Sequence, residues 1–109
     1  MKKLLTIAGS DSCGGAGIQA DLKTFSAHGV FGMSVITAVT AQNTQGVFAV
    51  QDILPEIIQK QIQVIFDDIS VDAVKIGMVS KTETIKTIAE TLSKYEVQNL
   101  VLIYNNIIA

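Results

Sequence analysis

The sequence predicts an α/β fold in which a mainly parallel sheet carries helices on its faces, a Rossmann-like three-layer arrangement. Short apolar segments rich in β-branched residues alternate along the chain with amphipathic segments of helical period. Such alternation is typical of right-handed crossovers between parallel strands. With 109 residues the chain has the length of one modest domain, and no linker, internal repeat or low-complexity segment divides it.

The composition excludes several classes of protein. Apolar residues make up 49% of the chain and charged residues 17%, and the net charge of −2 comes without any arginine. Nucleic-acid binding through a basic patch is therefore not expected. No apolar run approaches the length of a membrane span, so we expect no membrane partner and a cytoplasmic location. The single cysteine, Cys13, rules out an internal disulfide.

The first elements are a buried strand and an amphipathic helix. Residues 3–8 are apolar or β-branched without alternation, which predicts a strand buried on both faces. Residues 16–28 are predicted to be helical, and Gly29 stands where a glycine commonly ends a helix. His28 lies in the last predicted turn, near the negative end of the helix dipole, and no second histidine makes it a metal ligand. The apolar stripe of this helix comprises Ile18, Leu22 and Phe25.

The middle of the chain predicts two further strands and a second helix. Residues 34–41 read as one buried strand that ends in a polar tip, and residues 47–51 as a short edge strand. Pro55 suits the first position of a helix that runs to about Asp67.

The last part of the chain predicts strand, helix and strand. Residues 73–76 form the first of these strands, and we interpret Lys75 within it as a side chain that extends to water at the strand end. Residues 80–83, Ser-Lys-Thr-Glu, match a capping box and predict a helix that runs to about Lys94. Residues 100–103 form the final predicted strand.

A glycine-rich loop between the first strand and the first helix is the strongest candidate for a ligand site. Four glycines lie within residues 9–17, and we expect unpaired N–H groups at the helix N-terminus to point at one spot. Residues 15–20 fit the dinucleotide pattern G-x-G-x-x-A, but residues 30–45 contain no acidic residue, which excludes NAD. A phosphate-binding P-loop is excluded because no Gly-Lys-Ser/Thr follows.

Three predicted strands end in polar or glycine-rich tips, which a parallel sheet brings to one edge. Asp11 could accept a hydrogen bond from a substrate hydroxyl or simply cap the turn, and Asp21 lies in the first turns of the helix. Gln42 carries the donor and acceptor needed for an aminopyrimidine edge, or is an ordinary polar tip. Met78 could cover a flat ring or belong to the core, and Cys13 is expected to be passive because no base lies near it in sequence.

Taken together, these motifs resemble the hydroxymethylpyrimidine/phosphomethylpyrimidine kinases of thiamine biosynthesis, which are ribokinase-like kinases. The resemblance covers residues 4–102, and pyridoxine or pyridoxal kinases are the near neighbours in the same family. The matching segments are Thr-Ile-Ala-Gly-Ser-Asp (6–11), Gly-Gly-Ala-Gly-Ile-Gln-Ala-Asp-Leu-Lys-Thr (14–24), Thr-Ala-Gln-Asn-Thr (40–44) and Val-Lys-Ile-Gly-Met (74–78).

The resemblance implies transfer of a phosphoryl group from ATP, with Mg²⁺, to the 5-hydroxymethyl group of an aminopyrimidine and then to its monophosphate. It implies that Gln42 holds the amino edge of the pyrimidine and that Met78 lies against the ring. It places Gly9 and Asp21 near the hydroxymethyl group. Asp11 and Ala16 belong to the same wall, and positioning of this kind accounts for most of phosphoryl-transfer catalysis.

Two departures from the family pattern lead to further expectations. The Asp-Pro-Val-Met expected after the last strand is replaced by residues 103–106, Ile-Tyr-Asn-Asn, and no Gly-Thr-Gly-Cys-like segment follows. The sequence is therefore expected to be the N-terminal, substrate-binding part of a ribokinase-like domain over residues 1–109, without catalytic residues or a nucleotide site. A non-catalytic binding or interaction module is the alternative. The uncharged, β-prone residues 99–104 predict poor solubility or self-association through an open sheet edge.

Overall fold

The computed structural model describes residues 1–103, which form six strands and three helices. The sequence expectations for residues 104–106 lie outside the described residues. In chain order the elements are β1 (Lys3–Ala8), α1 (Gly17–Ala27), β2 (Phe31–Ile36), β3 (Ala38–Asn43), β4 (Gly46–Asp52), α2 (Pro55–Phe66), β5 (Ala73–Ile76), α3 (Thr82–Leu92) and β6 (Leu100–Leu102).

Four strands form a parallel sheet in the order β2-β1-β5-β6, which confirms the predicted α/β class. Strand β1 lies at the centre, pairing Thr6 with Ser34 of β2 and with Lys75 of β5. Its apolar character follows from this position, because a central parallel strand is covered on both faces.

Helices cover the two faces of this sheet unequally. Helix α1 packs on β1 and β2 on one face, while α2 and α3 pack together on the other. The buried core lies on the α2–α3 side, where alternate strand residues meet the two helices. It comprises Leu5, Ile7, Met33, Val35, Ile58, Ile62, Val74, Ile88 and Leu92.

The single strand predicted over residues 34–41 is wrong, because the chain changes sheets at Thr37. Strand β2 ends at Ile36 beside the end of β1, and the Thr37 N–H donates to the Ala8 carbonyl. From Ala38 the chain pairs antiparallel with β4, forming a separate two-stranded hairpin. An apolar run without alternation is typical of one continuous buried strand, so the sequence pattern alone does not reveal the break.

The predicted helix ends are partly confirmed. Helix α1 ends at Ala27 with His28 as its C-cap and Gly29 at φ +69°, and Pro55 opens α2. The capping box is wrong, because α3 begins at Thr82 with Lys81 as its N-cap and no side-chain cap bond. Ser80 therefore precedes the N-cap, which places Glu83 at the second helical position rather than the third that a capping box requires.

The glycine loop between β1 and α1 makes close backbone contacts at Gly17. This residue has φ +61°, and a Cβ built on it would collide with the Gly9 carbonyl oxygen, which accepts the N–H of Ile18 at 2.9 Å. Only a residue without a side chain fits both the left-handed conformation and this contact.

We expect Gly17→Ala to destabilise the fold more than Gly29→Ala. Both glycines have positive φ, which costs an alanine roughly 1–2 kcal/mol. Only at Gly17 does the added methyl group also collide with backbone atoms. A Cβ built on Gly29 has no atom within 4 Å apart from those of its chain neighbours. Urea unfolding of the two variants and the wild type measures the difference, and equal losses would contradict the steric argument.

Candidate functional site

A cavity of about 470 Å³ lies at the C-terminal ends of β1 and β5, between the parallel sheet and the hairpin. Five of the six predicted site residues line it: Gly9, Asp11, Ala16, Gln42 and Met78. The sixth, Asp21, is not among the lining residues. The binding roles of these residues stay predictions, but the structure brings their positions together at the expected edge of the sheet.

The Asp11 side chain is buried, with 3% of its surface exposed, and organises the glycine loop. Its carboxylate accepts hydrogen bonds from the backbone N–H groups of Cys13 (2.9 Å), Gly15 (3.0 Å) and Ala16 (2.8 Å). The backbone N–H of Asp11 itself donates to Oε1 of Gln19 (2.8 Å). The expectation of unpaired N–H groups at the helix N-terminus is wrong for Ala16, which donates to Asp11, and for Ile18, which donates to the Gly9 carbonyl. The carboxylate thus caps the loop that leads into α1, up to the N-cap residue Ala16. The turn-capping interpretation of Asp11 is confirmed, and its contact with a substrate hydroxyl stays a prediction.

Two serines of the glycine loop attach the hairpin to the rest of the fold. The N–H of Ser10 donates to the Ala38 carbonyl at 2.8 Å, and the Ser10 hydroxyl oxygen accepts the Thr40 N–H at 3.2 Å. The Ser12 hydroxyl donates to the Gln42 carbonyl (2.7 Å) and accepts the Gln42 N–H (2.8 Å). The loop thus runs along β3 and fixes the position of the hairpin over the cavity.

Gln42 reaches the cavity from the hairpin and not from the end of a parallel strand. The Thr40 hydroxyl donates to the Ser10 carbonyl at 2.7 Å, and Oε1 of Gln42 lies 3.2 Å from the same hydroxyl oxygen. The β3–β4 register shifts between Ala41 and Gln42. With this bulge, Val47 and Val50 both line the cavity.

Lys75 makes an ion pair that the sequence analysis missed. Its ammonium lies 2.7 Å from Oδ2 of Asp21, and the Thr6 hydroxyl donates to the same oxygen at 2.6 Å. The interpretation of Lys75 as a side chain simply extending to water is therefore wrong. The available signal was a lysine in an otherwise apolar strand, since a partly buried charge needs a partner, but nothing in the sequence identified Asp21 of α1 as that partner.

A second ion pair stands at the rim of the cavity. The ammonium of Lys81 lies 2.9 Å from Oδ2 of Asp52, and both residues line the cavity. The hydrogen bond to Asp52 raises the pKa of Lys81 above its ordinary value, so this ammonium stays charged at neutral pH. Sequence spacing offered no signal for this pair, because it joins β4 to the N-cap of α3.

The remaining candidate groups do not form a second polar site within residues 1–103. Cys13 is exposed on the glycine loop, and Nδ1 of His28 lies 2.9 Å from the Thr24 carbonyl oxygen. In this part of the chain, no three His, Cys, Asp or Glu side chains are grouped to hold a metal ion. Nor is any helix there long and apolar enough to cross a bilayer.

A larger groove, of about 710 Å³, lies between α3 and β6 and is mainly apolar. Leu92, Leu100 and Leu102 are among its lining residues, and Met78 lines both this groove and the polar cavity. The other five predicted site residues are absent from the groove. The polar cavity is therefore the candidate functional site.

Comparison with known proteins finds close relatives. The chain is 65% identical over 91 residues to the hydroxymethylpyrimidine/phosphomethylpyrimidine kinase of Rhizobium meliloti strain 1021. The crystal structure of phosphomethylpyrimidine kinase from Clostridium difficile 630 matches with a TM-score of 0.91 and 65% identity, covering 94% of this chain. A pyridoxal kinase of Staphylococcus aureus in complex with AMP-PCP and pyridoxal matches less closely. Its TM-score is 0.82 and its identity 36%, over 97% of this chain.

The matches cover most of this chain but only part of each relative. The aligned region is 84% of this chain and 34% of the Rhizobium protein, and this chain covers 44% and 40% of the Clostridium and Staphylococcus chains. The family model described as phosphomethylpyrimidine kinase matches residues 11–103, which include most of the cavity wall and the ion pair of Lys75. The chain therefore belongs to the phosphomethylpyrimidine kinase family.

Proposed function

We propose that this chain provides the aminopyrimidine-binding part of a hydroxymethylpyrimidine/phosphomethylpyrimidine kinase, a cytoplasmic enzyme of thiamine biosynthesis. The observation that carries the proposal is Gln42 at the cavity wall: Ser12 holds its backbone, and its amide oxygen lies beside the Thr40 hydroxyl. Glycine and alanine backbone at the ends of β1 and β5 leaves room beside it for a flat ring.

The proposed ligand is complementary to this wall. A 4-aminopyrimidine places a ring nitrogen acceptor beside an exocyclic amino donor, and a primary carboxamide offers one donor and one acceptor in return. Pyridoxal has no amino group beside its ring nitrogen, so it can form at most one of these two hydrogen bonds. Met78, which is exposed at the cavity mouth, supplies an apolar contact for one face of the ring.

The proposed whole enzyme uses ATP and Mg²⁺, but the described residues do not fit either group. A phosphate cradle needs several free N–H groups at one spot, but the Asp11 carboxylate accepts the N–H groups of Cys13, Gly15 and Ala16 in the loop before α1, and the Gly9 carbonyl accepts that of Ile18. Residues 1–103 also contain no metal-binding cluster. The part assigned to these residues is therefore to bind and orient the acceptor, which is a large share of phosphoryl-transfer catalysis.

We expect Gln42→Ala to weaken binding of 4-amino-5-hydroxymethyl-2-methylpyrimidine by roughly fivefold or more. Loss of a buried polar contact costs about 1–3 kcal/mol, because the ligand's amino edge keeps no partner. Isothermal titration calorimetry on the purified chain measures the change. Pyridoxal should bind more weakly than the pyrimidine and respond less to the substitution.

Gln45→Ala is the matched control for this measurement. Gln45 lies on the same hairpin, is exposed and does not line the cavity, so its removal should leave the affinity unchanged. Equal affinity of the wild type and Gln42→Ala would remove Gln42 from the site. Tighter binding of pyridoxal would favour a pyridoxal kinase instead.

A second candidate function is a non-catalytic small-molecule-binding module, which is favoured by the pairing of the loop N–H groups with Asp11. With magnesium-ATP and the pyrimidine, we expect the purified chain to bind the pyrimidine without forming phosphorylated product. Radiolabelled phosphate transfer followed by chromatography measures this. Turnover would show that our account of the missing phosphate cradle is wrong.

We further propose that copies of this chain associate through β6. Among the described residues β6 has a neighbour only on its β5 side, and its leucines are exposed, Leu102 by 61%. Unpaired backbone groups along an uncharged apolar strand favour pairing with another strand.

We expect sedimentation velocity of the wild type to show an association that increases with concentration, and Leu102→Lys to abolish it. A lysine in the strand introduces like-charge repulsion between paired copies and a charge that is costly to bury. Phe48→Lys is the control, because Phe48 is comparably exposed (69%) but lies on the hairpin. A monomeric wild type at all concentrations, or dissociation by Phe48→Lys alone, would overturn this interface.

A further inference from the structure

The ammonium of Lys75 lies at the floor of the cavity, although its strand is otherwise apolar. Lys75 pairs with Thr6 across β1 and β5, so both side chains leave the sheet on the face covered by α1. Asp21 of α1 meets them there, and its Oδ2 takes both the ammonium and the Thr6 hydroxyl. Thr6 is fully buried and the Lys75 side chain keeps 25% of its surface exposed, so the pair extends from the interior towards the cavity.

Gly77 keeps the space beside this ammonium open. A Cβ built on Gly77 would lie 3.4 Å from Nζ of Lys75 and 2.9 Å from Cβ of Ala8, so any side chain here would crowd both. Lys75, Gly77 and Ala8 all line the cavity, whereas Asp21 does not. The polar group that this part of the floor presents to a ligand is therefore the ammonium, with the carboxylate behind it.

The number of hydrogen-bond donors leaves the ammonium with capacity for a ligand. A lysine ammonium carries three N–H donors, and within residues 1–103 the hydrogen bond recorded for it goes to Asp21. Stability alone does not account for the pair, since a partly buried ion pair contributes little beyond what an apolar replacement would. An oxygen atom of a ligand in the cavity would satisfy the remaining donors.

We infer that Lys75 is a specificity-determining residue whose ammonium donates to the oxygen on the 5-substituent of the pyrimidine, with Asp21 as the positioning residue. The inference rests on the proposed function. The ammonium recognises an oxygen atom on the methylene carbon at the 5-position of the ring. This oxygen belongs either to a hydroxymethyl group or to its phosphate ester. The phosphate ester should gain more from the ammonium because it adds an ionic component to the hydrogen bond.

Three ligands that differ only at the 5-position test the inference: the 5-hydroxymethyl, 5-phosphomethyl and 5-methyl derivatives of 4-amino-2-methylpyrimidine. Calorimetry should show that Lys75→Met weakens binding of the 5-hydroxymethyl compound roughly tenfold or more, and binding of the 5-phosphomethyl compound further. Binding of the 5-methyl compound should weaken less than about twofold. A merely structural role would weaken all three equally, so the 5-methyl compound separates the two explanations. Lys86→Met, an exposed change on α3 outside the cavity, is the control.

A double variant guards against misfolding. Lys75→Met leaves Asp21 without its ionic partner, whereas the double variant Asp21→Asn/Lys75→Met removes both charges and should fold. It should still fail to bind the oxygen-bearing ligands more tightly than the 5-methyl compound. Circular dichroism melts report folding of each variant. If either folded variant keeps the wild-type preference for the oxygen-bearing ligands, the inference is overturned while the proposed function stands. If the wild type binds none of the three pyrimidines, the proposed function fails and the inference with it.

Discussion

The Asp11 carboxylate is the interaction on which the site depends. By accepting three N–H groups in the glycine loop it fixes the path of the backbone between β1 and α1. That path places Ser10 and Ser12 against β3, and their hydrogen bonds in turn set the position of Gln42. A buried carboxylate without these donors would be strongly unfavourable, so the loop and its cap stabilise each other.

The site exists because the chain leaves one sheet and begins another at Thr37. The parallel sheet supplies the floor, through the ends of β1 and β5, and the hairpin supplies the wall that carries Gln42. Neither part encloses a cavity by itself. The hairpin is held to the floor largely by hydrogen bonds to the glycine loop, so this loop is the structural connection between the floor and the wall.

Each of the two lysines that line the cavity is paired with a carboxylate. Lys75 is held by Asp21 at the floor and Lys81 by Asp52 at the rim, so neither lysine adds an unbalanced positive charge. The two pairs differ in environment. The rim pair is largely exposed and screened by water, whereas the floor pair shares its carboxylate with the buried Thr6 hydroxyl. A ligand oxygen therefore meets a better fixed donor at the floor than at the rim.

Local patterns in the sequence were sufficient to predict the α/β class and the three helices within a few residues, and together with the family resemblance they predicted five of the residues that line the cavity. These features depend on nearest neighbours: apolar period, Pro55 at a helix start, Gly29 at a helix end, and glycines in a tight loop. Only the tertiary structure decided the break at Thr37, the occupation of the loop N–H groups by Asp11, and the pairing of Lys75 with Asp21. Each of these depends on groups brought together from separate elements or by the fold of the loop itself. The Lys75–Asp21 contact joins residues that are 54 positions apart, a separation that sequence periodicity does not encode.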